Sequence, residues 1–253
     1  MTVSIIGAKK SSKRLPGKNT KIFCGHPLVA WTIVQSINST LINETYVSTD
    51  CEEIAEISEK YGAKIVWRDY EQQPEEGVSI PIIHAIEKLK LGDNDLVATP
   101  LVTSPARFPD DIDNMIRTWE PSHDIVIGYL APQEETVIYR KMDDHLASVV
   151  IFNKDGSYLT QGGGTGLQTV KWLRRKTEPD EPRNAEEKAY LANYMPGKIW
   201  QQFDIDYPDE FELVELLMNH YILQGRGIEI YEEYYKRETG RMIDDIGKER
   251  KNV

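Results

Sequence analysis

In the first half of the chain, short apolar segments typical of buried β-strands alternate with longer segments of helical periodicity. Strands are predicted at residues 3–6, 45–48, 64–67, 95–99 and 124–129, and helices at residues 27–37, 49–61, 79–91 and 109–119. Strands connected by helices of ten or more residues usually pair in parallel. The pattern therefore predicts an α/β fold in which a mostly parallel sheet lies between two layers of helices.

This alternation stops between residues 131 and 198. The segment contains strand-like pieces at 147–152 and 167–173, a glycine-rich turn at 162–166 and a polar helix near 185–194. We interpret residues 131–198 as a lobe inserted into one domain that covers residues 1–253. The sheet is expected to resume with an alternating strand at 199–206, followed by a helix that starts at Pro208. The charged tail after Gly227 is expected to pack loosely.

Composition and local patterns exclude several classes of protein. The longest apolar runs are only a few residues, far below the ~20 that a membrane-spanning helix needs, and the first apolar run precedes Lys9 and Lys10, the reverse order of a signal peptide. Cys24 and Cys51, the two cysteines, form neither a CxxC pair nor a disulfide framework. We therefore expect a cytoplasmic protein in a reducing compartment, with no membrane partner.

Charge is distributed unevenly along the chain. The whole sequence carries 30 Lys and Arg against 41 Asp and Glu, a net charge of −11, which argues against a general nucleic-acid binder. Before the first acidic residue, Glu44, the chain nevertheless holds six basic residues: Lys9, Lys10, Lys13, Arg14, Lys18 and Lys21. A basic segment in an acidic protein indicates a local anion site. The alternative, a solvated basic loop, fits the charge pattern equally well.

The basic residues at positions 9–19 directly follow the first predicted strand. Ligands of parallel α/β sheets bind at the carboxyl ends of the strands, so this loop lies where a nucleotide is expected. Its lysines and serine hydroxyls are suitable donors to phosphate oxygens. The segment from Leu15 to Thr20 departs from a Walker A motif, because its glycine is misplaced and Asn19 follows Lys18. We therefore predict phosphate binding without a P-loop.

Two carboxylates at Asp204 and Asp206 form a second candidate site. On a strand, residues i and i+2 point to the same side, so both side chains can share one hard cation such as Mg²⁺. The alternative is a pair of acids at a strand end, with Asp206 near a helix N-terminus. The basic loop favours the metal interpretation, because triphosphate chemistry needs a cation. By contrast, Asp110, Asp111 and Asp113 follow Pro109 and are better explained as acids in the first turn of a helix.

Taken together, these motifs resemble the acylneuraminate cytidylyltransferases, the CMP-sialic acid synthetase family. That family has the pattern A-R-x-x-S-K-x-x-P-x-K-N after its first strand, and residues 8–19 here read A-K-K-S-S-K-R-L-P-G-K-N. Further matches cover residues 25–33, 47–56 and 68–80, the motif Thr103-Ser104-Pro105 with Arg107, and Asp204-Ile205-Asp206. The similarity extends over residues 1–130 and 195–222.

The resemblance implies a Rossmann-like nucleotidyltransferase fold, a homodimer, and transfer of CMP from CTP to a small acidic acceptor in a Mg²⁺-dependent reaction. It assigns catalysis to Lys18 and Asp206 and metal binding to Asp204 and Asp206. The residues implied to bind the nucleotide are Ala8, Lys9, Ser12, Lys13, Lys18, Asn19, Arg68 and Ser79. Leu101, Ser104 and Arg174 are the candidates for acceptor binding, although a solvated basic surface is the better explanation of Arg174 and its basic neighbours.

The sequence departs from the family on the acceptor side. Leu101-Val102 replaces the family's Gln-Pro, and leucine cannot donate the hydrogen bond by which that glutamine helps to hold the sugar acid. Lys9 replaces an arginine, and the family's middle-region motifs have no counterpart in residues 131–195. The leading hypothesis is a cytidylyltransferase for a nonulosonic-type acid. A related enzyme with a Kdo-type or phosphonate acceptor, and an inactive nucleotide-binding homologue, remain the alternatives.

Overall fold

The structure, a computed structural model, describes residues 1–68, 79–123, 125–130, 136–141, 146–152, 160–175, 191–194 and 198–242. Its strands are β1 (Thr2–Gly7), β2 (Ile22–Phe23), β3 (His26–Pro27), β4 (Glu44–Thr49), β5 (Lys64–Trp67), β6 (Leu96–Ala98), β7 (Ile125–Leu130), β8 (Thr136–Lys141), β9 (Leu146–Phe152), β10 (Thr160–Thr169) and β11 (Leu191–Tyr194). Its α-helices are α1 (Leu28–Ile37), α2 (Glu52–Lys60), α3 (Ser79–Leu89), α4 (Asp111–Arg117), α5 (Val170–Arg175), α6 (Pro208–Met218) and α7 (Glu229–Thr239). None of the helices in these ranges combines the length and the hydrophobicity needed to cross a bilayer.

Seven strands form a central sheet in the order β11-β7-β10-β6-β1-β4-β5. The pairs of β1 with β4 and β6, of β4 with β5, and of β7 with β11 are parallel. Only β10 runs antiparallel to both of its neighbours, β6 and β7. The prediction of a mostly parallel sheet is therefore confirmed. Strands β8 and β9 pair with each other in a separate antiparallel sheet.

The inner residues of β1 are buried on both faces of the central sheet, as expected for a sheet that is covered by helices on each side. On one face Val3 and Ile5 of β1 pack in a cluster with Ile86 of α3. On the other face Ile6 packs in a second cluster with Trp31 of α1. Because successive residues of a strand point to opposite faces, β1 alone contributes to both layers of the core. The predicted three-layer arrangement is present.

The prediction of a strand at residues 199–206 is wrong. Residues Ile199–Gln202 form a 3₁₀-helix, and residues 203–206 are extended without belonging to a sheet. The side chain of Gln201, buried here, donates to the Asp111 carboxylate at 2.6 Å, and its Oε1 accepts from the backbone N–H of Lys198. These hydrogen bonds satisfy the polar groups of the Gln201 side chain. Strand β10 occupies the position beside β6 in the sheet.

The structure also corrects the interpretation of the middle region. The glycine-rich segment at 162–166 is part of strand β10, with an irregular register between Gln161 and Gly166, and is not a free turn. Residues 167–169 complete that strand, but helix α5 begins at Val170. Residues 191–194 form strand β11 where a polar helix was expected, and residues 185–190 lie outside the described ranges. Half of the segment 131–198 lies outside the described ranges as well, and its assignment as an inserted lobe stays a prediction.

Two helices differ from the sequence prediction, α2 at its N-terminus and α7 in the C-terminal tail. The capping box expected at Thr49 does not form: Cys51 is the N-cap of α2, without a side-chain capping bond. The tail expected to pack loosely contains α7, whose Tyr231, Tyr234 and Tyr235 are buried. Charged residues cover the outer face of this helix, and three tyrosines anchor its inner face.

A buried carboxylate ties α7 to the rest of the core. Asp113 is in the first turn of α4, as predicted, and is fully buried. It accepts hydrogen bonds from the hydroxyls of Ser39 and Thr40, from the backbone N–H of Thr40 at 3.1 Å, and from the hydroxyl of Tyr234 at 3.0 Å. Burial raises the pKa of Tyr234 to about 12, so its hydroxyl remains a donor. Helix α4, the α1–β4 connection and α7 thus meet at one side chain.

Asp113→Asn is expected to lower the free energy of unfolding by about 2–4 kcal/mol, because the amide leaves at least one buried donor without an acceptor. Chemical denaturation followed by circular dichroism measures this loss. Asp209→Asn, the same substitution at an exposed position in α6, is the control and should change stability by less than about 0.5 kcal/mol. Equal midpoints for the two variants would contradict the anchoring role of Asp113.

Candidate functional site

A cavity of about 540 Å³ opens at the carboxyl ends of the parallel strands. Gly7, the last residue of β1, lies in its wall, and so do Thr99 and Pro100 after β6 and Arg68 after β5. This is the edge of a parallel sheet at which ligands bind. The remaining lining residues are Ile5, Lys9, Ser11, Ser12, Lys13, Arg14, Lys18, Asn19, Pro81, Ile82, Leu101, Val102, Thr103 and Asp206. The cavity is basic on one side and apolar on the other.

Hydrogen bonds to strand β4 and within the loop hold the basic loop after β1 in place. Ala8, buried at the start of the loop, donates its N–H to the Ser48 carbonyl at 3.0 Å and so continues the pairing of β1 with β4. The side-chain amide of Asn19 donates to the carbonyl of Lys9 at 2.9 Å, which closes the loop. Gly17 adopts a positive φ of 67° before the 3₁₀ turn that contains Lys18. The loop thus presents several cations at one opening without an intervening acid of its own.

Lys18 and Asp206 meet at the base of this loop. Lys18 is 8% exposed, and its Nζ donates to the Ile205 carbonyl and, at 3.1 Å, to Oδ1 of Asp206. The other carboxylate oxygen, Oδ2, accepts from Nη2 of Arg14 at 2.7 Å. Glu210 of α6 accepts the backbone N–H of Asp206 at 2.6 Å, so the main chain at Asp206 is fixed to the start of that helix. The fold therefore brings Lys18 and Asp206, which are far apart in sequence, into direct contact.

Asp204 lies on the other side of buried Ile205 and is held by a different partner. Its Oδ1 accepts from the hydroxyl of Ser104 at 3.2 Å. Ser104 is itself buried against Gly164 of β10: a Cβ at Gly164 would lie 2.2 Å from the Ser104 Oγ, and Gly164 has a positive φ of 50°. Only glycine fits at this position. Ser104 thus lies beneath Asp204, and the described contacts show it positioning that acid.

Arg107 connects the wall of the cavity to the core. Its guanidinium donates to the Leu101 carbonyl at 2.7 Å, to the Gly164 carbonyl at 3.2 Å and to the Thr165 hydroxyl at 2.7 Å, as well as to Gln35 of α1 at 2.8 Å. Burial lowers the pKa of Arg107 to about 10, so the group remains a cation at neutral pH. One side chain therefore fixes the 101–104 loop against β10.

Not every candidate from the sequence lies at the cavity. Leu101 lines it, and Arg68 lines it as a residue only 8% exposed. Ser79 begins α3, but its side chain lies outside the described part of the structure. Arg174 is not brought to the cavity: in α5 it pairs with Glu87 at 2.9 Å and with Asp93, and it donates to the Leu91 carbonyl. Arg174 is accordingly left out of the site proposed below.

Three residues of the site were missed by the sequence reasoning. Arg14 was counted only as charge, Arg107 only as part of a motif, and Gly164 only as part of a flexible turn. For Arg14 and Arg107 a signal existed, since both are arginines within matched motifs. The partners of Gly164 are about 60 residues away in sequence, and only the fold reveals them.

In the part of the chain that the structure describes, the acidic side chains do not form a complete Mg²⁺ site by themselves. Within the described ranges, no three His, Cys, Asp or Glu side chains come close enough to form a ready-made metal site. Asp204 and Asp206 lie on either side of Ile205; Asp206 contacts the basic loop through Lys18 and Arg14, whereas Asp204 does not line the cavity and is held by Ser104. A Mg²⁺ ion bound mainly by substrate phosphates needs only one or two protein carboxylates.

The sequence is similar to known cytidylyltransferases. The family model described as cytidylyltransferase matches residues 3–153. The chain is 28% identical to CMP-N,N'-diacetyllegionaminic acid synthase of Legionella pneumophila, over 85% of this chain and 95% of that protein. It is 48% identical to pseudaminic acid cytidylyltransferase of Campylobacter jejuni over 60 residues, which cover 24% of this chain and 26% of that protein.

Solved structures show the same fold at low sequence identity. CMP:2-keto-3-deoxy-manno-octonic acid synthetase in complex with CTP superposes with a TM-score of 0.64 at 16% identity, covering 87% of this chain and 99% of that one. 4-Diphosphocytidyl-2C-methyl-D-erythritol synthase gives a TM-score of 0.65 at 11% identity, covering 86% and 98%. The α/β nucleotidyltransferase fold, the strand-end cavity and the family match over more than half of the sequence lead to one conclusion: the chain belongs to the cytidylyltransferase family and is a nucleotidyltransferase.

Proposed function

We propose that this protein transfers CMP from CTP to a nonulosonic-type sugar acid and releases pyrophosphate. The observation that carries the proposal is the convergence, at one strand-end cavity, of the basic loop with Arg68 and Asp206. Relatives named for CMP-legionaminic, pseudaminic and N-acylneuraminic acid synthesis support the acceptor class.

The basic side of the cavity suits a triphosphate. Lys9, Lys13 and Lys18 provide positive charge, and Ser12 and Asn19 provide polar groups along the same loop. Lysine ammonium groups and hydroxyls bind phosphate oxygens as point charges and hydrogen-bond donors. We assign the triphosphate to this loop, with Ala8 as part of its backbone. We place the nucleoside towards Arg68 and the start of α3, where Ser79 lies.

Asp204 and Asp206 fit a Mg²⁺ ion by the chemistry of their donor atoms. Both are hard carboxylate ligands; Asp204 is exposed, and Asp206 is partly exposed at the cavity. Mg²⁺ prefers this type of ligand together with phosphate oxygens and water. When bound, the ion would neutralise charge that develops on the departing pyrophosphate.

The reaction needs positioning more than covalent help from the protein. A hydroxyl oxygen of the acceptor forms a bond to the α-phosphorus, the bond from that phosphorus to the bridging oxygen breaks, and pyrophosphate leaves with the electron pair. We assign Lys18 to the electrostatic stabilisation of the reacting phosphate, because it is buried and rigidly held by Ile205 and Asp206. Asp206 is assigned to receive the hydroxyl proton.

On the acceptor side, the cavity wall consists of apolar residues after β6, among them Leu101 and Val102. Leu101 cannot donate a hydrogen bond, so this part of the wall favours an acyl or deoxy substituent over a bare hydroxyl. Ser104 contributes by orienting Asp204 from below. A homodimer also remains a proposal, which sedimentation velocity of the purified protein would test.

Pyrophosphate release tests the proposal directly. The protein is incubated with CTP and Mg²⁺ and with sialic, legionaminic, pseudaminic or Kdo acid, and UTP, ATP and GTP serve as nucleotide controls. We expect release with CTP and at least one nonulosonic acid, and release at least ~100-fold slower with the other nucleotides. CTP binding without release for any acid would contradict the proposed acceptor class, and equal rates with UTP would contradict the nucleotide.

A further inference from the structure

Both oxygens of the Asp206 carboxylate are occupied by cations from the basic loop. Oδ1 accepts from Lys18 at 3.1 Å, and Oδ2 pairs with Arg14 at 2.7 Å. The two cations differ in their surroundings: the Lys18 side chain is 9% exposed, whereas the Arg14 side chain is 56% exposed. Lys18 also donates to the Ile205 carbonyl and is therefore fixed in place. Arg14 is the partner that can leave.

Arg14 has few other contacts that would hold it at Asp206. The guanidinium carbon lies 5.7 Å from the centre of the Tyr207 ring, and Tyr207 is itself half exposed. An ion pair between side chains this accessible to water contributes little to stability, typically ~0.2–1 kcal/mol. The same side chain lines the cavity on the side of Lys9, Ser12 and Lys13. Rotation about the side-chain bonds of Arg14 can therefore move its guanidinium from Asp206 to a phosphate group bound at the loop.

We propose that Arg14 is an exchangeable cation: it neutralises Asp206 in the ligand-free protein and moves to the triphosphate when the nucleotide binds. This inference rests on the proposed function and adds a residue that the family resemblance does not place in the site. Guanidinium groups bind phosphate oxygens through paired N–H donors, as they bind carboxylates. Arg14 can therefore make the same type of hydrogen bond to Asp206 and to the triphosphate. Departure of Arg14 frees Oδ2 of Asp206 for a divalent cation.

The exchange couples two binding events. A divalent cation alone must compete with Arg14 for Asp206, whereas the nucleotide removes that competitor. Coupling of this kind is reciprocal, so the substitution of Arg14 must alter both affinities. The signs are opposite: loss of Arg14 strengthens binding of the cation alone and weakens binding of the nucleotide alone. A residue that is merely structural would not produce this pair of changes.

The experiment compares wild type, Arg14→Gln and Lys10→Gln in two separate binding titrations. Lys10→Gln removes the same charge from the same loop at an exposed residue that does not line the cavity. Mn²⁺ binding without nucleotide is followed by electron paramagnetic resonance, and CTP binding in EDTA by calorimetry. For Arg14→Gln we expect the Mn²⁺ affinity to rise about threefold and the CTP affinity to fall about tenfold, each relative to Lys10→Gln.

Each result decides between the proposals. If Arg14→Gln and Lys10→Gln give equal Mn²⁺ affinities, Arg14 does not compete for Asp206 and the exchange is overturned. If CTP affinity is unchanged in Arg14→Gln while wild type binds CTP, Arg14 does not reach the phosphates and the exchange is again overturned. A wild-type protein that binds no CTP overturns the proposed function itself, together with this inference. Thermal unfolding of both variants shows that neither change arises from misfolding.

Discussion

Asp206→Asn is expected to lower kcat by about 10³-fold while the protein folds normally. The substitution keeps the size of the side chain and one oxygen that can accept from Lys18, but it removes the negative charge. That charge balances Lys18 and Arg14 in the ligand-free protein, and in the proposed reaction it serves the metal ion and the acceptor proton. The loss of one preorganised electrostatic group at a reacting centre typically costs ~10²–10³-fold in kcat, and the two proposed roles place Asp206 at the upper end.

Steady-state pyrophosphate release at saturating CTP measures this effect, and thermal unfolding monitors the fold. Asp209→Asn, the same chemical change three residues later on the exposed first turn of α6, is the matched control and should retain full activity. Asp204→Asn is expected to lower kcat less, because Asp204 is exposed and has Ser104 as its described partner. Equal turnover by wild type and Asp206→Asn would exclude Asp206 from the chemistry.

Arg107→Met is expected to lower the free energy of unfolding by about 3–5 kcal/mol, because it leaves a buried polar network without its donor. The carbonyls of Leu101 and Gly164 and the Gln35 side chain all lose a charged hydrogen bond. The Met side chain replaces most of the volume of the arginine. The decrease in the free energy of unfolding therefore reflects the lost hydrogen bonds more than the creation of a cavity. Urea denaturation measures the difference in stability.

Two variants sharpen this measurement. Arg107→Lys keeps the charge but not the planar fork of donors, and we expect an intermediate loss of about 2 kcal/mol. Arg237→Met changes an arginine that is 71% exposed on α7 and should cost less than about 1 kcal/mol. In the proposed reaction, Arg107→Lys should also raise KM for the acceptor more than KM for CTP, since the 101–104 loop lies on the acceptor side. An unchanged stability for Arg107→Met would mean that its partners are satisfied without it.

The N-terminal half of the fold could be predicted because local and global signals agree there. Strands β1, β4, β5 and β6 lie where the sequence predicts them, and helices α1, α2 and α3 between them bury apolar residues in the core. The same local reasoning failed for β10, since its glycines carry no hydrophobic pattern. Gly164 is selected by the approach of Ser104, a contact between distant segments that no local window contains.

Two other errors have equally physical reasons. Residues 199–206 alternate like a strand, but β10 occupies the position beside β6, and residues Ile199–Gln202 form a 3₁₀-helix. The tail after Gly227 was predicted to pack loosely because it is highly charged. Tyr231, Tyr234 and Tyr235, at helical spacing, were the overlooked signal, and their burial requires the partners Gln35, Arg107 and Asp113.

The candidate site could be predicted to a similar extent. Charge and position identified the basic loop. The argument for Asp204 and Asp206 relied on a strand that does not form, and of the two acids only Asp206 lines the cavity. The direct contact of Lys18 with Asp206 joins residues 188 positions apart; the sequence linked the basic loop to this acid only through the chemistry of a triphosphate and the family resemblance. Arg174 was selected because it belongs to a basic cluster, but the fold pairs it with acids on α3 and the α3–β6 connection. Catalytic and ligand-binding roles for the site residues stay predictions until the variants are measured.

The antiparallel strand β10 has a consequence for how the chain reaches its native state. It separates β6 from β7, so a nascent chain that has emerged only as far as β9 exposes two unsatisfied backbone edges in the middle of its future sheet. Exposed edges of this kind invite pairing with other chains. The region matched by the family model ends at residue 153, so it does not include β10, the strand that joins β6 to β7. The glycines of β10 thus close the sheet as well as shape its cavity, and the closing step joins segments distant in sequence, which makes it a slow one.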